Sequence, residues 1–193
     1  FLWDCAIYTF NTAGFKYAFR ILSHFKLLDV NDPRVIAQWL YYTPDLNKSQ
    51  VGEIICGHSR LCTETLKYFI TYFNFKGYSF DEALREYLQS FRLSGEAQGI
   101  DRAADAFGNK YCQDNPGIFR SPDTAFVLAF SCVMLNTDLH SAQITNKMTK
   151  QAFFKNNSKI DQGHDLDPVF LDNIYNNICM NEIKMKDDQR KGW

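Results

Sequence analysis

The sequence predicts an all-α fold, and three observations carry that expectation. Apolar residues recur at helical spacing along almost the whole chain. An N-cap residue followed by proline occurs at Asp32-Pro33, Ser121-Pro122 and Asp167-Pro168, a device that opens helices. No segment alternates polar and apolar residues convincingly over the length of a strand.

The elements follow in chain order. Phe15, Ala18, Phe19, Leu22 and Phe25 form a first stripe. Asp32-Pro33 opens a helix that buries Val35, Ile36, Trp39 and Leu40. Asn47 caps a short helix carrying Val51, Ile54 and Ile55, with Gly57 available to end it. Leu66, Phe69, Ile70 and Phe73 give the next stripe. Ser79 and Glu82 have the spacing of a capping box, ahead of Phe80, Leu84, Tyr87, Leu88 and Phe91. A break at Ser94-Gly95 precedes Ile100, Ala103, Ala104, Phe107 and Tyr111, and Asn115-Pro116-Gly117 makes a turn. Ala125 to Leu135 is apolar nearly all round, so the helix opened by Ser121-Pro122 should be central. Asp167-Pro168 starts the last helix, with Phe170, Leu171, Ile174 and Ile178. No linker divides the chain, which favours two subdomains sharing a cleft over two separate domains.

Composition excludes several function classes. Hydrophobic residues at 46% and charged residues at 22% describe a folded chain, and 193 residues suffice to bury a core. A formal net charge of -1 with no basic stripe argues against nucleic-acid binding. No apolar run reaches the ~18–20 residues of a membrane span, so no membrane contact is expected from this segment itself. The chain opens at Phe1 without a Met and reads as a piece of a longer protein. The six cysteines include no C-x-x-C pair and sit largely in apolar patterns, as free thiols of a reducing compartment do. A zinc site is not expected. The glycosylation patterns at Asn47 and Asn156 would go unused in a cytoplasmic chain.

The informative segment is Phe91-Arg92-Leu93-Ser94-Gly95-Glu96-Ala97-Gln98-Gly99-Ile100-Asp101-Arg102. It reads as a helix end, a tight turn and a new helix start. Ser94 is placed to cap the second helix, with Glu96 in its first turn. The helix dipole favours a carboxylate there by ~0.3–1 kcal/mol, and spacing alone assigns Glu96 nothing more.

This segment resembles the first signature of the Sec-seven domain, the exchange domain acting on ARF-family GTPases, at ten of twelve positions. Val127-Leu128-Ala129-Phe130, Met134-Leu135-Asn136-Thr137-Asp138-Leu139-His140 and Asn146-Lys147-Met148-Thr149 resemble the second signature. Leu46 to Glu53 and Asn115-Pro116-Gly117 are similar to weaker stretches of the family. The likeness runs from about Phe10 to Ile183. It implies a single exchange domain of about ten helices in an elongated right-handed superhelical array. Two subdomains, about 1–93 and 94–185, would flank a hydrophobic groove, followed by a charged tail at 186–193.

The resemblance also implies a mechanism. Glu96 would enter the nucleotide site of a GDP-bound ARF-family GTPase, displace magnesium and repel the β-phosphate, leaving the GTPase nucleotide-free. The groove would take the switch regions. Gln98, Asp101, Arg102, Phe130, Val133, Met134, Asn136, Leu139, Ser141 and Met148 are the implied GTPase contacts. Phe130, Ser131, Asp138 and Met148 are the implied site for brefeldin, which traps the complex. Ser131, Asp138 and Met148 match the sensitive pattern, whereas Phe130 replaces its tyrosine, so weak or partial trapping is expected. Asp138 and Met148 lean towards the large Golgi-associated class. The domain is expected to be cytoplasmic and monomeric and to act without a cofactor of its own. Recruitment to Golgi or endosomal membranes for vesicle trafficking would come from regions outside it.

Three departures stand out. Ser94 replaces the usual proline, Gly99 the usual lysine, and Ser141 a frequent asparagine. Gly99 removes a charge and about 1 kcal/mol of helix propensity. An exchange-inactive GTPase-binding module and a helical scaffold are therefore alternatives. Hydrolysis through His140 finds no supporting motif. Asp161 to Asp172 lacks the glycine and closing glutamate of a calcium loop, and no metal ligands are expected.

Overall fold

The computed structural model describes residues 1–94 and 96–185. Among them are ten α-helices: α1 Leu2–Ala13, α2 Phe15–His24, α3 Pro33–Tyr42, α4 Lys48–Ile55, α5 Arg60–Phe69, α6 Phe80–Ser90, α7 Ala97–Asp114, α8 Pro122–His140, α9 Lys150–Asn156 and α10 Pro168–Met180. A 3₁₀ turn, Ile70–Tyr72, follows α5, and no strand occurs among the described residues. The all-α expectation holds. The charged tail expected at 186–193 lies outside the described residues.

Local chemistry sets most helix starts. The side chains of Asp32, Asn47, Ser59, Ser121, Thr149 and Asp167 each accept a backbone N–H in the first turn of the helix they precede. The Ser79 N–H donates to the Glu82 carboxylate at 2.9 Å, half of a capping box. α1 and α9 are additional to the helices expected from the sequence, and α9 is only seven residues long. Phe25, assigned to the first stripe, lies past the end of α2 and is 47% exposed.

The chain forms two compact units, Phe1–Phe73 with Leu88–Ala103, and Asn74–Tyr87 with Ala104–Lys184. Aromatic rings fill the core of each. In the first, Trp39 meets Phe10 edge-on at 5.2 Å and Phe19 at 6.1 Å. A second cluster there joins Tyr41, Phe69, Phe73 and Phe91. In the second unit, Phe107 lies between Phe75, Phe80, Tyr87 and Tyr111. Tyr111 is buried, which pushes its phenol strongly up in pKa, and its hydroxyl donates to the Tyr78 carbonyl at 3.1 Å. These clusters account for many of the aromatic residues in the chain.

Two polar groups tie the second unit together internally. Asp161 accepts from the Arg120 N–H at 2.8 Å and from the Thr124 hydroxyl at 2.9 Å. Asn136 is 2% exposed, and its amide forms two bonds with Ile183: Ile183 N–H to Oδ1 at 2.7 Å, and Nδ2–H to the Ile183 carbonyl at 3.0 Å. Both polar atoms of the Asn136 amide are thus bonded inside the fold. Ile183 is fully buried, so removing the amide strands two backbone groups away from water. Asn136→Ala should destabilise the chain by about 2–4 kcal/mol, read as a lower urea midpoint at unchanged m-value.

Candidate functional site

The segment carrying Glu96 is built against α4 by close backbone approach. A Cβ on Gly52 would lie 1.8 Å from the Arg92 carbonyl oxygen, so only glycine fits there. A Cβ on Gly99 would lie 2.0 Å from the Cys56 carbonyl oxygen. The Arg92 N–H donates to the Lys48 carbonyl at 2.9 Å. The Arg102 guanidinium donates to the Gly57 carbonyl at 2.8 Å and reaches the Cys56 carbonyl at 3.4 Å, placing a cation on the acceptor end of α4. Burial pushes the Cys56 thiol up in pKa, while the Ser94 backbone N–H and Arg102 pull it partly back.

Glu96 itself occupies the N-cap position. Its carbonyl accepts from the N–H groups of Gly99 at 2.9 Å and Ile100 at 3.3 Å, and α7 begins at the next residue. The cap expected at Ser94 is therefore corrected: its hydroxyl is buried with no hydrogen-bond partner among the described residues. The Glu96 side chain is 79% exposed, with its Oε2 3.6 Å from Nε2 of His58. Gln98 and Asp101 are exposed on the first turns of α7. Arg102 has an internal role on the carbonyls at the end of α4. Gly95 lies outside the described residues.

In the second unit, α8 has two faces. Thr124, Ala125, Leu128, Ala129, Cys132, Leu135 and Asn136 are buried. Val127 is 42% and Met134 63% exposed, with Phe126, Phe130 and Val133 half-buried beside them. These five positions recur at helical spacing and make an apolar outer stripe, in which Phe126 and Phe130 meet edge-on at 5.1 Å. The helix expected to be central is thus core on one side only.

The chain after α8 folds back on its end. Asp138 accepts the Met148 N–H at 2.5 Å, and Lys147 donates to the carbonyls of Asp138 and Ser141. Leu139 is half-buried in the last turn. Tyr175 donates to the Met148 carbonyl at 2.8 Å. Asn157 donates to the Ser131 hydroxyl at 2.8 Å. The structure so joins Asp138, Ser141 and Met148 and sets Ser131 and Phe130 one turn or more before them on α8. His140 Nε2 lies 2.7 Å from the Ile178 carbonyl, a structural contact. Gly52, His58, Asn157 and Tyr175 had no individual role assigned from sequence, because each acts through a partner distant in the chain. Among the described residues, no group of His, Cys, Asp or Glu could hold a metal ion, and no helix is long and apolar enough to cross a membrane.

Comparison with known proteins decides the family. The Sec7 domain family matches residues 2–183. The chain belongs to the Sec7 domain family. It is 44% identical over 170 residues to an ADP-ribosylation factor guanine nucleotide-exchange factor, sec72, of Schizosaccharomyces pombe, covering 88% of this chain and 9% of that protein. It is 43% identical over 176 residues to the corresponding factor SEC7 of Saccharomyces cerevisiae, covering 91% of this chain and 9% of that protein. The chain thus spans about a tenth of the length of these relatives. Among solved structures, the Sec7p catalytic domain superposes with a TM-score of 0.86 at 42% identity, covering 93% of this chain and 94% of that one. A Sec7 domain bound to ARF1-GDP and brefeldin A superposes at 0.84 with 36% identity, covering 95% and 92%.

The Sec7 geometry gives Gly99 a reason. Gly99→Ala gains at most ~1 kcal/mol of helix propensity. It also forces a methyl into a backbone carbonyl, and overpacking of that kind costs about 1–3 kcal/mol. The clash should win. Chemical denaturation is expected to show a net destabilisation of about 1–2 kcal/mol.

Proposed function

We propose that this Sec7 domain stimulates GDP release and GTP loading on an ARF-family small GTPase, with Glu96 as the competing anion. The observation that carries the reading is the exposed Glu96 carboxylate at the N-cap of α7, on a segment built against α4. The exchange-factor names of the relatives and the ARF1-GDP complex of a structural neighbour support it.

The chemistry is electrostatic displacement. A GTPase holds the phosphates of GDP with a backbone nest, a lysine and magnesium. A carboxylate brought to that place competes for the same donors, displaces the metal and repels the β-phosphate. No bond of the nucleotide is broken, so the domain accelerates exchange without covalent chemistry. Gln98 and Asp101 flank the wedge. The α8 stripe of Phe130, Val133 and Met134, with Leu139, Ser141 and Met148, binds the switch regions. Exposed Met134 suits a surface that follows a moving partner. The domain acts as a monomer in the cytoplasm. Other regions of the protein bring it to Golgi or endosomal membranes, where exchange regulates vesicle traffic.

Release of a fluorescent GDP analogue from a soluble ARF-family GTPase tests this. The natural domain should accelerate release, and Glu96→Lys should return it to the rate of the GTPase alone while keeping the same circular dichroism and melting temperature. Binding of the GTPase without acceleration by the natural domain would leave an exchange-inactive binding module instead.

The brefeldin site falls on Phe130, Ser131, Asp138 and Met148. Phe130 lacks the tyrosine hydroxyl of the sensitive pattern, so the drug traps the complex weakly. Phe130→Tyr should increase the drug-dependent complex seen by size-exclusion chromatography by about threefold to tenfold, the worth of one added hydrogen bond. Equal trapping by both forms would remove the hydroxyl from the account.

A further inference from the structure

We infer that His58 is a positioning residue for Glu96, holding the carboxylate on the domain when the imidazole is protonated and releasing it when neutral. The inference rests on the reading of Glu96 as the exchange wedge. Its basis is geometric. His58 follows α4 and immediately precedes Ser59, the cap of α5, and its Nε2 lies 3.6 Å from Glu96 Oε2 at the start of α7. Both ends of this contact are fixed by the backbone. Arg102 holds the Gly57 carbonyl, next to His58, at 2.8 Å. Gly99, three residues after Glu96, touches the Cys56 carbonyl. The two side chains are half and four-fifths exposed, so they are free to separate when a partner arrives.

His58 also lines a cleft of about 530 Å³ with apolar walls from Phe15, Phe19, Ile36 and Leu61. The charged and titratable groups facing this region come from every neighbouring element. Lys16 of α2, Glu53 of α4, Cys56 after it, and Cys62 of α5 line the same cleft. Arg102 of α7 sits at the adjoining carbonyl. Histidine is the side chain that ordinarily changes charge between pH 5 and 8.

The sign follows from the wedge mechanism. A carboxylate paired with a cation on its own domain carries less net repulsion towards a phosphate, and the pair must break before the wedge can enter the nucleotide site. Exchange should therefore fall as pH drops and His58 gains its proton. An exposed pair is weak, so the effect is about twofold to fivefold.

The experiment compares GDP-analogue release by the natural domain, His58→Gln and His58→Arg from pH 6 to 8, each divided by the spontaneous release of the GTPase at that pH. His58→Gln should match the natural domain at pH 8 and exceed it about twofold to fivefold at pH 6. His58→Arg, a permanent cation, should be slower than the natural domain at pH 8. A ratio of His58→Gln to natural domain that is flat across this range overturns the inference, as does a variant slower than the natural domain at pH 6. Glu96→Lys separates the two levels. If it is inactive while the His58 ratio is flat, the wedge stands and only the positioning role falls. If it stays active, the wedge reading itself falls and takes this inference with it.

Discussion

Two glycines let α4 approach the segment carrying Glu96 to backbone contact, and the rest of the candidate site depends on that approach. With any side chain at Gly52 or Gly99, a methyl would stand within 2.0 Å of a carbonyl oxygen. The elements would have to part. Arg102 would then lose its hold on the carbonyls at the end of α4, and the Arg92 N–H its bond to Lys48. The close approach rests on the absence of side chains at two points and on one guanidinium. Glu96 itself contributes no packing to it.

α8 shows the complementary design in the second unit. One side of the helix is core. The other carries Val127, Phe130, Val133 and Met134 towards solvent. Leaving such residues in water has a price of roughly 25 cal/mol for each Å² of apolar surface, recovered when a partner covers it. The chain after the helix is pinned back by Asp138 and Lys147 through backbone contacts. The stripe and the pinned segment are therefore presented as formed surfaces, which keeps down the ordering entropy that binding must overcome.

Much of the fold was legible in the sequence because its signals are local. Asp32, Asn47, Ser121 and Asp167 cap the helices they were expected to cap, through bonds spanning two or three residues. The family resemblance located Glu96, and the structure adds that it sits at a helix N-cap with its side chain exposed. What stayed illegible has distant partners. The internal hydrogen bonds of Asn136 have no local signal, because their partner is 47 residues away. The hold of Arg102 on a carbonyl 45 residues earlier has no local signal either. Gly99 looked like a lost lysine, because propensity is a property of one helix and the carbonyl it touches belongs to another. Ser94 has the residue type of a cap, but the helix starts after Glu96, and a buried backbone approach decided that register.

The Asn136–Ile183 pair has a consequence for how the polypeptide comes into being. Asn136 lies near the end of α8, yet its hydrogen bonds are completed only by a residue 47 positions later. At a synthesis rate of ~5–20 residues per second, that interval lasts about 2 to 9 seconds. Throughout it, the growing chain holds a helix with one apolar face meant for the core, a second apolar stripe on its outer side, and an unsatisfied amide. The nascent second unit cannot close before its last segment leaves the ribosome, and α8 is the stretch it would most need to keep from other hydrophobic surfaces while it waits.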